Sequence, residues 1–473
     1  MNLLRDAPRW IFFATLAFAP WAYGGTTATS IETINWLLLA TLLLWAAELI
    51  VCRRKPQFPT AILFIALVLL VVGGWMSLNA MSIYDPMFQT FAPISNVAPR
   101  APGSIDYAIS VAWMIRAALL FGVILFVTDL SQDNGWLLRL WQAIGFVAGS
   151  IALLGLLQKA TGAGMIFWEE PPGEKLTTFF ATYYYHANAG AFLNLVWPLT
   201  AGLAVRAFSS GAAGPGVRAT WLIIFMLNMA AIAANTSRMA QFIAIGCFLA
   251  ICWQLGPPLI RRLSRVERSI ALAGAVVILL TLFALGQAVH LEQPLTRWAH
   301  LSENFPRDAR WLASRVAFDA MHNVGVFGFG PGTFRAVFPM FNNAAHQPAP
   351  GSWRFLHEDY LQTLLEWGWV GSALWVLLIF GGIAEAVRNL RKEKSFRRSQ
   401  RAEVRGQVKT IGGRREWTPR RRMILPLVII ALASVLVHAL VDFPLQIMSI
   451  QLYVATYLGL CWGSGDWKGE RLK

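Results

Sequence analysis

The sequence predicts an all-α integral membrane protein of about twelve transmembrane helices, and three observations carry that prediction. Apolar residues make up 56% of the 473-residue chain and charged residues only 14%, against about 45–50% and about 25% in soluble domains. The charges are crowded between long apolar stretches instead of being spread along the chain. Those stretches are continuously apolar and do not alternate, so helices and not barrel strands satisfy the backbone in lipid. The same figures exclude a disordered chain, a collagen-like chain and a small disulfide scaffold, and they speak against an ordinary soluble enzyme.

With about 20 mostly apolar residues per span, twelve spans are read: 10–23, 31–51, 60–78, 107–128, 136–158, 186–206, 219–235, 238–255, 269–289, 368–388, 423–440 and 445–465. The first is short and the eleventh marginal. Arg5, Arg9 and Ala17-Phe18-Ala19 give the first the look of a signal peptide, but Pro20 at the cleavage position favours a retained helix.

Lys and Arg in the short loops set the orientation. Arg5 and Arg9, Arg53-Arg54-Lys55, Arg206 and Arg218, Arg261, Arg262, Arg265 and Arg268, the stretch 389–422 and the tail with Lys468, Arg471 and Lys473 all fall on one side. Both termini are therefore expected in the cytoplasm. Only the loop 129–135, with Asp129 and Asp133, breaks the trend. The net charge of +15 (40 Lys and Arg against 25 Asp and Glu) is read as topogenic and as meeting anionic headgroups. Nucleic acid is not read as a partner, since the basic run 389–422 lacks interleaved aromatics apart from Phe396 and Trp417.

The opposite face holds the loops 79–106, 159–185 and, largest, 290–367, which carries helical and turn signals of its own. The chain thus divides into spans one to nine over 1–289, a large outer loop 290–367, and spans ten to twelve over 368–473. There is no internal repeat and no low-complexity segment.

Missing motifs narrow the chemistry. No P-loop is present, which speaks against an ATPase. No Asp-x-Asp pair is present, which speaks against a metal-dependent nucleotide-sugar transferase. His357-Glu358 begins like a zinc HExxH motif, but Leu361 fills the second histidine position. No metal or cofactor is expected. Cys52, Cys247, Cys252 and Cys461 lie in or beside spans and read as packing residues.

The polar features that remain cluster on the outer side. Arg238, in Asn235-Thr236-Ser237-Arg238, opens span eight, where it either gathers an anion at a helix N-terminus or snorkels to headgroups. Arg310-Trp311 and Arg315 lie on a helical stretch of the outer loop. Gly328-Phe329-Gly330-Pro331-Gly332-Thr333-Phe334 permits close backbone approach; it reads as a tight turn ending the helix in preference to a loop that holds phosphate or sugar. His357-Glu358-Asp359-Tyr360-Leu361-Gln362 ends the outer loop. An imidazole near neutral pH can take a proton from a hydroxyl, although a lone interfacial histidine is more often just a hydrogen-bonded side chain. His438 and Asp442, four apart, share a helical face at the last outer turn and read as structural support. His186 and Asn188 begin span six on that same face. Arg116 lies near the middle of span four, where a charge costs about 2.5–3.5 kcal/mol; it is expected to face the bundle interior or a lipid phosphate.

The stretch 180–450 resembles the O-antigen ligase/polymerase superfamily of bacterial envelope proteins. The likeness rests on Ala187-Asn188-Ala189-Gly190 through Pro198, Thr236-Ser237-Arg238, the Gly-x-Gly-Pro-Gly-Thr-Phe stretch, His357 followed eleven residues later by Gly368, and His438 to Leu445. It implies a GT-C-like membrane glycosyltransferase of the bacterial inner membrane, with its active site in the periplasm. The implied reaction moves a glycan from undecaprenyl diphosphate to lipid A-core, to a growing glycan or to protein. It also implies inversion without a metal, with His357 as general base and with Arg238 and Arg310 or Arg315 holding the diphosphate. Asp359, Asn188, His186, Arg116, His438 and Asp442 are the further substrate-binding candidates. In ligases the motif histidine is often followed by Asn, Ser or Gln, whereas Glu358 follows here, which leaves the acceptor open. A polytopic lipid or solute transporter is the competing expectation; it calls for binding groups at the bilayer midplane and repeat symmetry.

Overall fold

The fold was analysed in a computed structural model that describes residues 2–85, 87–88, 90–169, 178–209, 213–260, 298, 308–405 and 419–467. The architecture is a helical bundle. In chain order it comprises α1 (Asn2–Trp21), α2 (Ala28–Val51), α3 (Thr60–Leu78), α4 (Tyr107–Leu130), α5 (Asn134–Ala160), α6 (His186–Ser209), α7 (Pro215–Ala234) and α8 (Arg238–Ile260). Then come α9 (Ala309–Ala320), α10 (Phe334–Ala344), α11 (Asp359–Arg405), α12 (Pro419–His438) and α13 (Met448–Gly463). A hairpin, β1 (Ser82–Asp85) paired antiparallel with β2 (Thr90–Pro93), sits in the 79–106 loop.

Among the described residues, nine helices are long and apolar enough to cross a membrane: α2 to α8, α11 and α12. The first and last spans read from sequence appear as α1 and the 16-residue α13. The ninth, 269–289, lies outside the described residues. Span ten differs from the sequence reading at its far end. At its near end the expected boundary at 368 is where two helices meet: Gly368 takes the non-helical φ 60° and ψ −165°, and a short helix from Asp359 precedes it. At the other end the helix runs on to Arg405 into the basic stretch expected to be a loop. Arg, Lys, Glu and Gln are good helix formers, so a charged sequence there is no barrier to continuing.

Two helices form the axis of the bundle. Every residue of α13 is buried, as is α6 from His186 through Ala204. α13 packs against α4, α11, α1 and α12, and α6 against α12, α7, α5 and α8. Small residues let α6 lie this deep. A Cβ on Gly190 would come within 2.4 Å of the Ala240 Cβ, and one on Gly202 within 2.2 Å of a Leu427 methyl. The peripheral helices instead present large apolar side chains outward, among them Trp36, Phe64, Leu67 and Phe242, which suits lipid contact. Both axial helices begin at one end of the bundle, and the segments that carry the site gather over those two N-termini.

At the opposite end the loop charges are partly consumed inside the fold. Arg54 reaches Asp129 through Nη1 at 2.7 Å and Glu48 through Nη2 at 2.8 Å. Trp45 Nε1 and the Gln57 backbone N–H also donate to Asp129, at 3.1 and 3.0 Å. The acidic residue that broke the loop-charge trend is thus the counter-ion of the arginine in the preceding loop. Asp129→Ala leaves Arg54 with one carboxylate and two stranded donors. Since Arg54 is about a third exposed, the loss should be about 1–3 kcal/mol, below that of a wholly buried pair. Thermal unfolding in detergent measures it, and an unchanged midpoint would show that the cluster does not hold α2 to α4.

Candidate functional site

His357 is the centre of the polar cluster over the axial helices. Its backbone is held at φ 63°, a conformation that L-residues rarely adopt. Its Nδ1 lies 3.0 Å from Oδ1 of Asp442, in the turn between α12 and α13. Three aromatic rings meet the imidazole edge-to-face: Phe443 at 4.5 Å, Trp353 at 5.6 Å and Tyr185 at 5.8 Å between centroids. Phe355 stacks on Phe443 in turn. The ring is therefore fixed in plane by Asp442 and in position by its aromatic walls.

The charge state of Asp442 decides what His357 can do. Burial pushes this carboxyl upward. The hydrogen bond from His357 and the Arg310 charge outweigh that, so the group sits below the ordinary carboxylate range. An ionised carboxylate only accepts, so Nδ1 carries the proton in this contact and the Nε2 lone pair is left to take another. Arg310, on α9, is already engaged. Its Nη1 is 3.8 Å from Asp442 and 3.4 Å from the Val441 carbonyl, its Nε is 3.7 Å from Asp308, and Nη2 donates to the Tyr185 hydroxyl. It braces Asp442 and Tyr185. Burial lowers its basicity, but the Tyr185, Asp442 and Asp308 contacts reverse this and hold it above the ordinary arginine value.

The structure separates the remaining candidates by what they touch. Asp359 does not meet His357. Its carboxylate accepts from the Leu445 N–H at 2.8 Å and from Gln446 Nε2 at 2.9 Å, while its own N–H donates to Ala439. It ties the start of α11 to the turn bearing Asp442. His186 is turned to its own loop, with Nδ1 3.1 Å from the Thr178 carbonyl. Its carbonyl accepts from Asn235 Nδ2 at 2.9 Å, which joins α6 to the turn before α8. Arg238 opens α8 beyond that turn. Arg315 is exposed on α9. His438 is buried with neither ring nitrogen hydrogen-bonded among the described residues.

Beside the cluster lies a cavity of about 630 Å³, in the range of small-molecule sites, whose walls include Tyr185, Asn188, Phe443 and Gln446. Three arginines line it: Arg116 from α4, Arg335 from α10, and Arg354 just before His357. Among the described residues none forms an ion pair with a carboxylate. Arg116 has an unpartnered buried Nε, and its guanidinium lies 5.4 Å from the Trp113 ring. The Arg354 guanidinium is held below its usual basicity by burial and then by the Arg335 charge. The one acidic wall residue, Glu366, is already bound by Gln362 Nε2 at 3.1 Å and by the N–H groups of Gly332 and Phe334 at 3.1 and 3.2 Å. Asn188 contributes a buried Oδ1 with no partner among the described residues. The cavity thus gathers three arginines, none paired with a carboxylate among the described residues and two of them exposed at its edge, which is an arrangement suited to a multiply charged anion.

An apolar groove of about 420 Å³ adjoins this cavity and shares Trp113, Glu366 and Gln446 with it. Leu120, Phe121, Trp375 and Leu458 are among its walls. Cavity and groove together have the division of an amphiphile, a charged head and a hydrocarbon tail.

Arg335, Arg354, Glu366 and Tyr185 were not singled out in the sequence. A signal for the first was present, since Arg335 directly follows the glycine-rich stretch. That stretch is neither a phosphate loop nor a simple helix end. It is stitched to α11 by Phe329 N–H to the Leu365 carbonyl and Gly330 N–H to the Glu366 carbonyl, each at 2.9 Å. Gly328 and Gly368 cross so closely that a Cβ on either would come within 2.4 Å of the other's backbone nitrogen. This strap delivers α10, and with it Arg335, to the cavity.

Residues 221–376 match the family model described as O-antigen ligase, and this match supports the likeness to the O-antigen ligase superfamily. It spans Arg238, Arg310, Arg335, Arg354 and His357, while Arg116 and Asp442 lie outside it. No curated protein matches the chain. The family and the apolar helices together indicate a multi-pass membrane protein with an enzyme activity of the ligase or polymerase type.

Asp442→Asn keeps the shape of the acceptor but removes the charge that fixes the His357 tautomer. If the pair acts as a base, transfer should fall about 10²-fold or more in a purified lipid-linked donor assay. The depressed carboxyl also sets a pH window. Its contribution to stability is complete above about pH 4, the ordinary aspartate value, and is lost as pH falls through its lower folded-state value. The difference in unfolding stability between wild type and Asp442→Asn should therefore be flat from pH 7 to about 4 and shrink only below. A difference that already shrinks near pH 6 would contradict the assigned charge state.

Proposed function

We propose that this protein is an inverting membrane glycosyltransferase that moves a glycan from undecaprenyl diphosphate to an acceptor hydroxyl on the periplasmic side of a bacterial inner membrane. The observation that carries the reading is the His357–Asp442 pair opening beside a cavity with three uncompensated arginines. The family match and the asymmetry of the loop charges support it, and the latter favours cytoplasmic termini.

In this mechanism Nε2 of His357 takes the proton of the acceptor hydroxyl as its oxygen attacks C1 of the first sugar. Asp442 steadies the imidazolium that forms. The bond from C1 to the diphosphate oxygen breaks on the opposite face, which inverts the anomeric centre. The leaving diphosphate gathers negative charge, and Arg116, Arg335 and Arg354 compensate it. The adjoining groove takes the first isoprene units of the carrier. Arg310, which the sequence offered as a diphosphate ligand, is assigned to bracing Asp442. The driving force is the glycosyl–diphosphate bond that breaks at C1, so no nucleotide is consumed. Lipid A-core, a growing glycan and a protein all present such a hydroxyl.

The test is transfer in nanodiscs with a purified lipid-linked oligosaccharide. His357→Ala should lower kcat about 10²–10⁴-fold without loss of folded protein. Arg335→Ala with Arg354→Ala should raise KM for the donor and lower kcat about 10²–10³-fold, as expected for lost oxyanion donors. Near-normal turnover by His357→Ala would reject the assigned base.

A further inference from the structure

Leading out of the cavity is a run of aromatic rings, half-buried at Tyr184, Tyr23 and Phe167 and exposed at Trp21, that the mechanism does not use. Trp21 stacks on Phe167 with centroids 6.2 Å apart and planes at 15°. Phe167 meets Tyr23 edge-to-face at 5.5 Å, and Tyr23 stacks on Tyr184 at 5.7 Å and 9°. Tyr184 is itself a wall residue of the cavity, with Thr26 and Thr27 beside it. The ladder therefore ends in the cavity.

Two observations set this ladder apart from an ordinary interfacial belt. Tyr23, Phe167 and Trp168 are three of the six described non-glycine residues with positive φ, at 50°, 55° and 59°. Backbone held so far from its preferred region persists only where the surrounding fold over-determines it, and such residues gather at functional sites. Second, the rung Tyr23 and Trp168, the neighbour of the rung Phe167, are pinned by polar contacts at their edges. The Tyr23 hydroxyl donates to Glu169 Oε1 at 2.6 Å, and Trp168 Nε1 donates to Thr161 Oγ1 at 2.7 Å. Glu169 and Trp168 are both exposed. Apolar faces with hydroxyl and carboxylate groups at their margins match a pyranose ring, which has a C–H face and hydroxyl edges. Hydrocarbon tails offer nothing to Glu169.

We propose that the Trp21–Phe167–Tyr23–Tyr184 ladder binds the sugar rings of the donor glycan, with Tyr184 under the sugars next to the diphosphate. The inference rests on the donor assignment made above. On this reading the head of the donor is held by charge and its glycan by stacking.

Two probes separate the parts in nanodisc binding titrations: farnesyl diphosphate, and farnesyl diphosphate bearing N-acetylglucosamine. Wild type should bind the sugar-bearing probe more tightly than the bare one. Tyr184→Ala should weaken the sugar-bearing probe about three- to tenfold, the loss expected for one aromatic contact, and by more than it weakens the bare probe. Tyr184→Phe should restore binding, and Phe167→Ala, farther from the cavity, should repeat the selective loss for longer glycans. Equal loss of both probes, or no loss for either, overturns the ladder as a sugar site and leaves it a membrane belt or a packing element. Failure of both probes to bind wild type overturns the donor assignment itself.

Discussion

Three guanidinium groups share one cavity at the edge of an apolar bundle with no carboxylate set against them. A positive charge taken out of water costs several kcal/mol unless something opposite meets it; Arg116 has a buried Nε without a partner, while Arg335 and Arg354 stand exposed at the same cavity and repel one another. By contrast Arg54 is neutralised within the fold by Asp129 and Glu48, and Arg310 by Asp442 and Asp308. The cavity departs from that pattern, and the departure sits beside His357. The functional reading follows from that contrast.

The rest of the fold can be understood as what holds the cavity in place. α6 and α13 bury their whole faces so that their N-termini converge, and the segments around them tie to those ends through Asp359, Asn235 and Arg310. Glu366 occupies the start of α10 and binds Gln362, whose Oε1 accepts from the Leu356 N–H at 3.0 Å. One buried carboxylate thereby fixes both the helix that carries Arg335 and the strained segment that carries Arg354 and His357. The Gly328–Gly368 crossing lets these two backbones lie against each other.

Much of this was legible in the sequence for a plain reason. Spans and loop charge are properties of runs of residues, and lipid imposes them locally, so α2 through α8 appear where the apolar stretches predicted them. His357 and Asp442 were found because titratable residues are conspicuous near apolar spans. Their contact was not legible, because 85 residues separate them and only the packing of α11 against the last turn joins them. Arg335 and Arg354 were missed because arginine in an outer loop looks like any solvated charge until the cavity around it is known. The extension of α11 past its expected far end was missed for a different reason: a charged run looks like a helix end, yet the helix continues to Arg405, and a short helix from Asp359 precedes the break at Gly368.

The proposed donor site places the diphosphate of a polyprenyl donor in the arginine cavity and its hydrocarbon in the adjoining groove. A structure in nanodiscs with a polyprenyl methylenediphosphonate, whose bridging carbon blocks scission within the diphosphate, tests that placement most directly. Both phosphorus atoms should lie within contact of Arg116, Arg335 and Arg354, with the first isoprene units against Trp113 and Phe121. Density for the headgroup at the opposite membrane face, or bound outside with the three arginines untouched, would contradict it.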